Sequence, residues 1–140
     1  MGAATFAEVA EGVRATLAAY TQALDDGRTD DVVATFCPDG AIEIPGLGTH
    51  EGHDALRAAY DSCKPRRPQR HLVLNTLVTD CGDDRARATS DVIFIVLGDT
   101  GWAIALVGRY EDVLHRHDRE WRFHRRAAAF VPAEPRGAPR

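Results

Sequence analysis

The chemistry in this sequence starts at His71. In the stretch QRHLVLN, residues 69–75, an imidazole stands where an otherwise apolar strand begins. With the two-residue period of a strand, His71, Val73 and Asn75 share one face, while Arg70, Leu72, Leu74 and Thr76 share the other. His71 is then either a hydrogen-bonded residue at a wet sheet edge or a proton-handling group on a cavity wall. The second role needs a carboxylate to fix the tautomer and stabilise the protonated ring. Asp25 and Asp91 are the candidates. Asp91, in ATSDVIFIV, is the only acid in a run that is otherwise small or apolar, so an ionised group there calls for a partner. Its register allows it to face a pocket, a subunit interface or the outer surface. Tyr20 can donate a hydrogen bond to a developing oxyanion, or simply pack as an aromatic.

Periodicity supplies the elements that must hold these groups. Phe6, Val9, Val13, Leu17, Tyr20 and Leu24 recur every three or four residues, which predicts a helix over 5–26 ending at Gly27. Tyr20 lies on its apolar stripe. Asp25 lies off the centre of that stripe, which leaves Asp26 as a rival acid. A short helix is expected over 29–36, then a turn at Pro38-Asp39-Gly40, a strand over 41–44, a break at residues 45–48 and a helix over 52–62. Four long strand-like runs follow, at 70–79, 85–97, 102–117 and 121–131, with short polar separators that suit an antiparallel meander. Helices first and strands afterwards favour an α+β architecture in which one curved sheet packs helices on a single face and leaves a pocket between them.

Composition bounds the function. The 140 residues are 44% hydrophobic, enough for one domain with a core. We expect the domain to cover 1–131 and the Pro-rich residues 132–140 to be a disordered tail. Seventeen basic against twenty-one acidic residues give a net charge of −4, which offers nothing to nucleic acid or an anionic membrane. The basic run KPRRPQR reads as a solvated connection. Membrane-length apolar runs are absent from the sequence, so a cytoplasmic protein is expected. Cys37, Cys63 and Cys81 lack any C-x-x-C pair and read as reduced thiols.

Tyr20 and Asp25, FCPDG at 36–40, EGHDAL at 51–56, RHLVLN at 70–75, GRYED at 108–112 and WRFHRR at 121–126 follow one another in an order and spacing that resemble SnoaL-like domains. These belong to the nuclear-transport-factor-2-like superfamily, alongside scytalone dehydratase. The resemblance spans about residues 6–131. It implies a cone-shaped curved sheet, antiparallel or mixed, wrapped around N-terminal helices, with an apolar pocket and commonly a homodimer or higher oligomer. It also implies that His71 faces the pocket, and that Tyr20 and Asp25 match a tyrosine and an aspartate five residues apart at the end of the first helix. The catalytic set expected on this basis is His71, Asp25, Tyr20 and Asp91, with Asn75, Phe36, Tyr60, Trp102 and Tyr110 contacting a small hydrophobic substrate. Trp102, Tyr110, Asp112, Trp121 and Arg125 are assigned mainly to architecture, with an Asp112–Arg125 ion pair between neighbouring strands. The implied activity is cofactor-independent acid–base chemistry on a carbonyl compound: dehydration, cyclisation or isomerisation. The superfamily also contains binding modules and non-catalytic subunits of oxygenases, so the fold alone leaves function open.

A metal enzyme is the rival chemistry. His115-x-His117 puts two imidazoles on one strand face, with Glu120, His124 and the loop His50-Glu51-Gly52-His53 elsewhere. Arg116, Arg119 and Arg122 crowd the final hairpin and would repel a cation. No metal is expected. Gly-x-Ser-x-Gly and phosphate-loop patterns are missing from the sequence.

Overall fold

The computed structural model describes residues 2–131. The helix α1 spans Phe6–Asp25. Thr5 and Glu8 close a capping box at its start, with the Thr5 amide donating to Glu8 Oε2 at 2.7 Å and the Glu8 amide donating to Thr5 Oγ1 at 3.2 Å. Its end is a Schellman motif. Gly27 takes φ +71°, its amide donates to Leu24 O, and the Arg28 amide donates to Ala23 O. Val9, Val13, Leu17 and Tyr20 are buried along one face, whereas Phe6, expected on that stripe, is exposed. Gly12 is required for packing: a Cβ there would lie 2.5 Å from the Trp121 ring.

The order continues with α2 Thr29–Ala34, β1 Phe36–Ile44, β2 Gly48–Glu51, α3 His53–Ser62, β3 Gln69–Cys81, β4 Arg85–Gly98, β5 Gly101–His117 and β6 Glu120–Phe130. FCPDG is therefore the start of β1 and not a turn, and the register of β1 against β6 shifts between Phe36 and Ala41 to accommodate it. The sheet runs β2-β1-β6-β5-β4-β3. Only β1 with β6 is parallel among these pairs; β3 to β6 form the expected antiparallel meander. The β5–β6 turn puts Asp118 and Arg119 at φ +49° and +74°, the handedness that a tight hairpin demands.

The core lies between α1 and the concave face of the sheet, where Phe36, Leu114 and Phe123 are fully buried. No helix among the described residues is long and apolar enough to cross a membrane. The expected tail over 132–140 lies outside the described residues.

Candidate active site

The end of α1 overhangs β3, the last strand of the sheet, and there Asp25 meets His71. The Asp25 carboxylate accepts from the His71 backbone amide at 2.8 Å and from Gln69 Nε2 at 3.2 Å, and lies 2.6 Å from His71 Nδ1. The side chains are only 4% and 14% exposed. A carboxylate at a helix C-terminus faces the negative end of the dipole and is also desolvated, so three donors are needed to hold it charged. Burial alone would raise the Asp25 pKa, but its hydrogen bonds and charge interaction with His71, with help from Gln69, hold it below the usual carboxylate range. With Nδ1–H donating to Asp25, Nε2 carries the free lone pair. Phe94 stacks on the imidazole with centroids 4.3 Å apart, which restrains ring rotation. Asp26, the rival acid, instead approaches Arg28 on the surface.

His71 lines a cavity of about 390 Å³ enclosed by α1, α3 and the concave sheet. Its wall is mainly apolar, with Leu24, Ile44, Phe94, Leu106 and Phe130, and its polar groups are few, chiefly His71, Tyr20, Tyr60 and Tyr110. Such a lining suits a small hydrophobic molecule fixed by a few directed hydrogen bonds. The Tyr20 and Tyr60 hydroxyls bond each other at 2.7 Å. Burial raises the pKa of both phenols, so they stay protonated and can donate. A larger, more open groove runs outside between α1 and β3, past Arg14, Gln22, Asp26 and Arg70, and the Asp25–His71 pair separates it from the cavity. The cavity suits acid–base chemistry better than the groove, because its lining is more apolar and it is less open to solvent.

Other expected site residues lie elsewhere. Asp91 alternates with the inward-facing Ser90 and Val92, so it faces outward, where Arg109 Nε and Nη2 donate to it at 3.0 and 2.9 Å. Asn75 joins it there, donating from Nδ2 at 2.9 Å. The reason is a β-bulge: Asn75 takes φ +54° and the register shifts between Leu74 and Leu77, which removes Asn75 from the face of His71. Trp102 pairs with Leu97 and is 52% exposed, outside the cavity and the core. Phe36 is fully buried behind Tyr20, their ring centroids 6.0 Å apart, and supports the cavity without lining it. Tyr60 and Tyr110 do line it.

The ion pair expected between Asp112 and Arg125 is made by Arg126. Arg126 Nε and Nη2 donate to Asp112 at 2.8 and 3.0 Å, both side chains fully buried. Arg125 pairs with Glu43 on the outside. A second bulge explains the change: Leu114 pairs with Phe123 but Val113 with Arg125, so His124 is the extra residue and the inward positions become 121, 123 and 126. The Arg126 guanidinium lies over the rings of Tyr110, Phe123 and Tyr20 at 3.7, 4.3 and 4.5 Å. Neither Arg126 nor Phe94 stood out in the sequence, since one follows another arginine and the other lies in an apolar run. His50 and His53, read from the sequence as a loop, lie on β2 and at the start of α3, and their rings bond the backbone carbonyls of Leu47 and Phe36.

Residues 6–127 match the SnoaL-like domain family, and the chain belongs to it. No curated protein matches the chain at a significant level. Among solved structures, a variant of Rv3472, a protein of unknown function from Mycobacterium tuberculosis, is 26% identical over 87% of this chain and 71% of its own, with a TM-score of 0.81. An NTF2-like protein with a cystatin-like fold from Novosphingobium aromaticivorans is 22% identical over 91% and 85%, with a TM-score of 0.83. A protein provisionally named a scytalone dehydratase from the same organism is 20% identical over 94% and 95%, with a TM-score of 0.78. The fold is thus α+β like that of the NTF2-like protein, with α1 packed on a curved, open six-stranded sheet.

Proposed function

We propose that this protein is a cofactor-independent acid–base enzyme acting on a small hydrophobic, carbonyl-bearing molecule of polyketide, steroid-like or aromatic type. The observation that carries the reading is the Asp25–His71 pair at 2.6 Å on the wall of an apolar cavity. In this reading His71 Nε2 removes a proton from carbon next to the carbonyl, and Asp25 holds the imidazolium that results. The Tyr20–Tyr60 pair, which keeps one hydroxyl proton beyond its mutual bond, donates to the enolate oxygen. Returning the proton to a leaving hydroxyl completes an elimination of water, the first choice. Returning it to another carbon gives isomerisation, and attack of the enolate carbon on a second carbonyl gives cyclisation. The resemblance to a structure provisionally named a scytalone dehydratase supports this at the level of fold.

The test is deuterium incorporation from D2O into a panel of hydrophobic ketones, followed by NMR. The chain should catalyse exchange next to the carbonyl, and His71→Gln should lower the rate by roughly 10²- to 10⁴-fold. Binding of these ketones without exchange, with affinity unchanged in His71→Gln, would overturn the reading in favour of a binding module or an oxygenase subunit.

The assembly belongs to the same proposal. Leu72, Leu74, Ile104 and Val107 are exposed on the outer face of β3 and β5 together with Trp102, an apolar area that favours a homodimer. Ile104→Glu should then lower the mass measured by light scattering to that of one chain. The three cysteines are free thiols, which fits a reducing cytoplasm.

A further inference from the structure

Across the sheet from the cavity, at the end formed by β1 and the β5–β6 hairpin, five side chains able to bind metal converge. Leu114 and Phe123 point inward, so His115 points to the opposite face, and the bulge puts His124 beside it. The two imidazoles stack with centroids 4.2 Å apart and planes 9° from parallel. The ligand atoms of Cys37, His115 and His117 lie within 4.8 Å of one another, and so do those of Cys37, Asp39 and His124. Cys37 is the shared member. Its side chain is buried, with Sγ 3.7 Å from the carbonyl of Arg122.

We propose that this cluster is a site for a zinc-type divalent ion, held by the Cys37 thiolate and the imidazoles of His115 and His117, with the Asp39–His124 pair supplying the fourth ligand. A thiolate with imidazoles and one carboxylate is the donor set that borderline-soft ions such as Zn²⁺ prefer. A second observation points the same way. His124 Nδ1 is buried and has no hydrogen-bond partner among the described residues, since Asp39 lies 3.9 Å away. A buried imidazole nitrogen left unpaired is costly, and a ligand between it and Asp39 would remove the cost.

The arginines that argued against a metal in the sequence are distributed by the fold. Arg116 pairs with the buried Trp121 and belongs to the other face. Arg122 and Arg85 do flank His115, but Arg122 is held by Glu120 at 3.0 Å. Binding exchanges the Cys37 S–H bond for a sulfur–metal bond and releases one proton to solvent. An ion here would tie the irregular start of β1 to the β5–β6 hairpin.

The probe is Co²⁺, titrated into the untagged full chain. One equivalent should produce thiolate-to-cobalt charge-transfer absorption with the visible bands of a four-coordinate ion, and Zn²⁺ should displace it. Cys37→Ser should abolish the charge-transfer band, and His117→Ala should weaken binding at least roughly 10-fold. Cys63→Ser and Cys81→Ser, at the two exposed thiols, should leave the band intact. No thiolate band, or a band that depends on Cys63 or Cys81, would overturn the proposal. Cys37 is buried, so if Cys37→Ser fails to fold by circular dichroism the exposed His117 decides: binding unchanged in His117→Ala overturns the site.

Discussion

Two aspartates in the walls of the cone carry basic partners and are put to different uses. Asp112 faces Arg126 with two hydrogen bonds and no exposure at all. Asp25 faces His71 with slight exposure beside a cavity. A guanidinium keeps its proton at every physiological pH, so the first pair is a fixed dipole that joins β5 to β6 and carries the rings of Tyr20, Tyr110 and Phe123 on its cation. An imidazole can exchange its proton near neutrality. The partner sets the difference: one pair carries a permanently charged guanidinium within the core, and the other places an imidazole on a cavity wall.

That contrast is broken most directly at Arg126. Arg126→Ala leaves Asp112 buried without a counter-charge and should cost about 3–5 kcal/mol in urea unfolding. Replacing both partners, Asp112→Leu with Arg126→Met, should cost less than the sum of the two single changes, because no charge is stranded. Asp25→Asn should cost less, about 1.5–3 kcal/mol for the charge-assisted hydrogen bonds it weakens, while sharply reducing any proton transfer by His71. Equal losses for Arg126→Ala and Asp25→Asn would erase the distinction.

Acid sharpens it. The folded-state pKa of Asp25 is depressed, so its contribution is present above the unfolded carboxylate value of about 4 and is lost as the pH falls through the lower folded value. Wild type should therefore lose more stability than Asp25→Asn as the pH is lowered past about 4, measured from urea midpoints at each pH. Parallel curves for the two proteins would mean that Asp25 is no better paired in the fold than in the open chain.

Much of this site could be read from the sequence, and the failures share one cause. Helix periodicity placed Tyr20 inward, and strand alternation with the family resemblance placed His71 on the cavity side. The choice of Asp25 over Asp26 depended on how the Schellman turn ends α1, which a helical wheel does not contain. Asn75 and Arg125 were misplaced because strict alternation was carried through positions where the chain inserts one extra residue. The bulges at Asn75 and His124 leave little mark in the sequence, and each flips the side chains that follow it to the other face, in β3 until a second register shift between Val78 and Asp80. Asp91 had correct alternation but an unrecognised partner: Arg109, opposite it on β5, makes an outward position comfortable for an acid within an apolar run.

The hydroxyl pair in the cavity should respond more weakly than either ion pair. Tyr60→Phe removes one hydroxyl and leaves Tyr20 without the bond at 2.7 Å. The expected loss in urea unfolding is about 1 kcal/mol, with the larger effect on ketone binding. A loss above that of Asp25→Asn would mean that the tyrosine pair, and not the carboxylate, anchors this end of α1.

The smallest effect belongs to Asp91, and its smallness is the informative result. Asp91 is as firmly hydrogen-bonded as Asp25, with two donations from Arg109 and one from Asn75, and Asn75 then Arg109 likewise hold its pKa below the usual range. It differs in lying on the outer face, where in the single chain water and salt screen the charge and can replace each hydrogen bond, so the comparison is made in the Ile104→Glu background. Asp91→Ala should therefore leave the urea midpoint within experimental error and the deuterium exchange rate unchanged. A marked fall in exchange with the fold intact would mean that the outer face reaches the imidazole through β3, since Asp91 lies on the strand that pairs with His71. The comparison between carboxylates would then have to include where the strand transmits strain as well as which partner each acid holds.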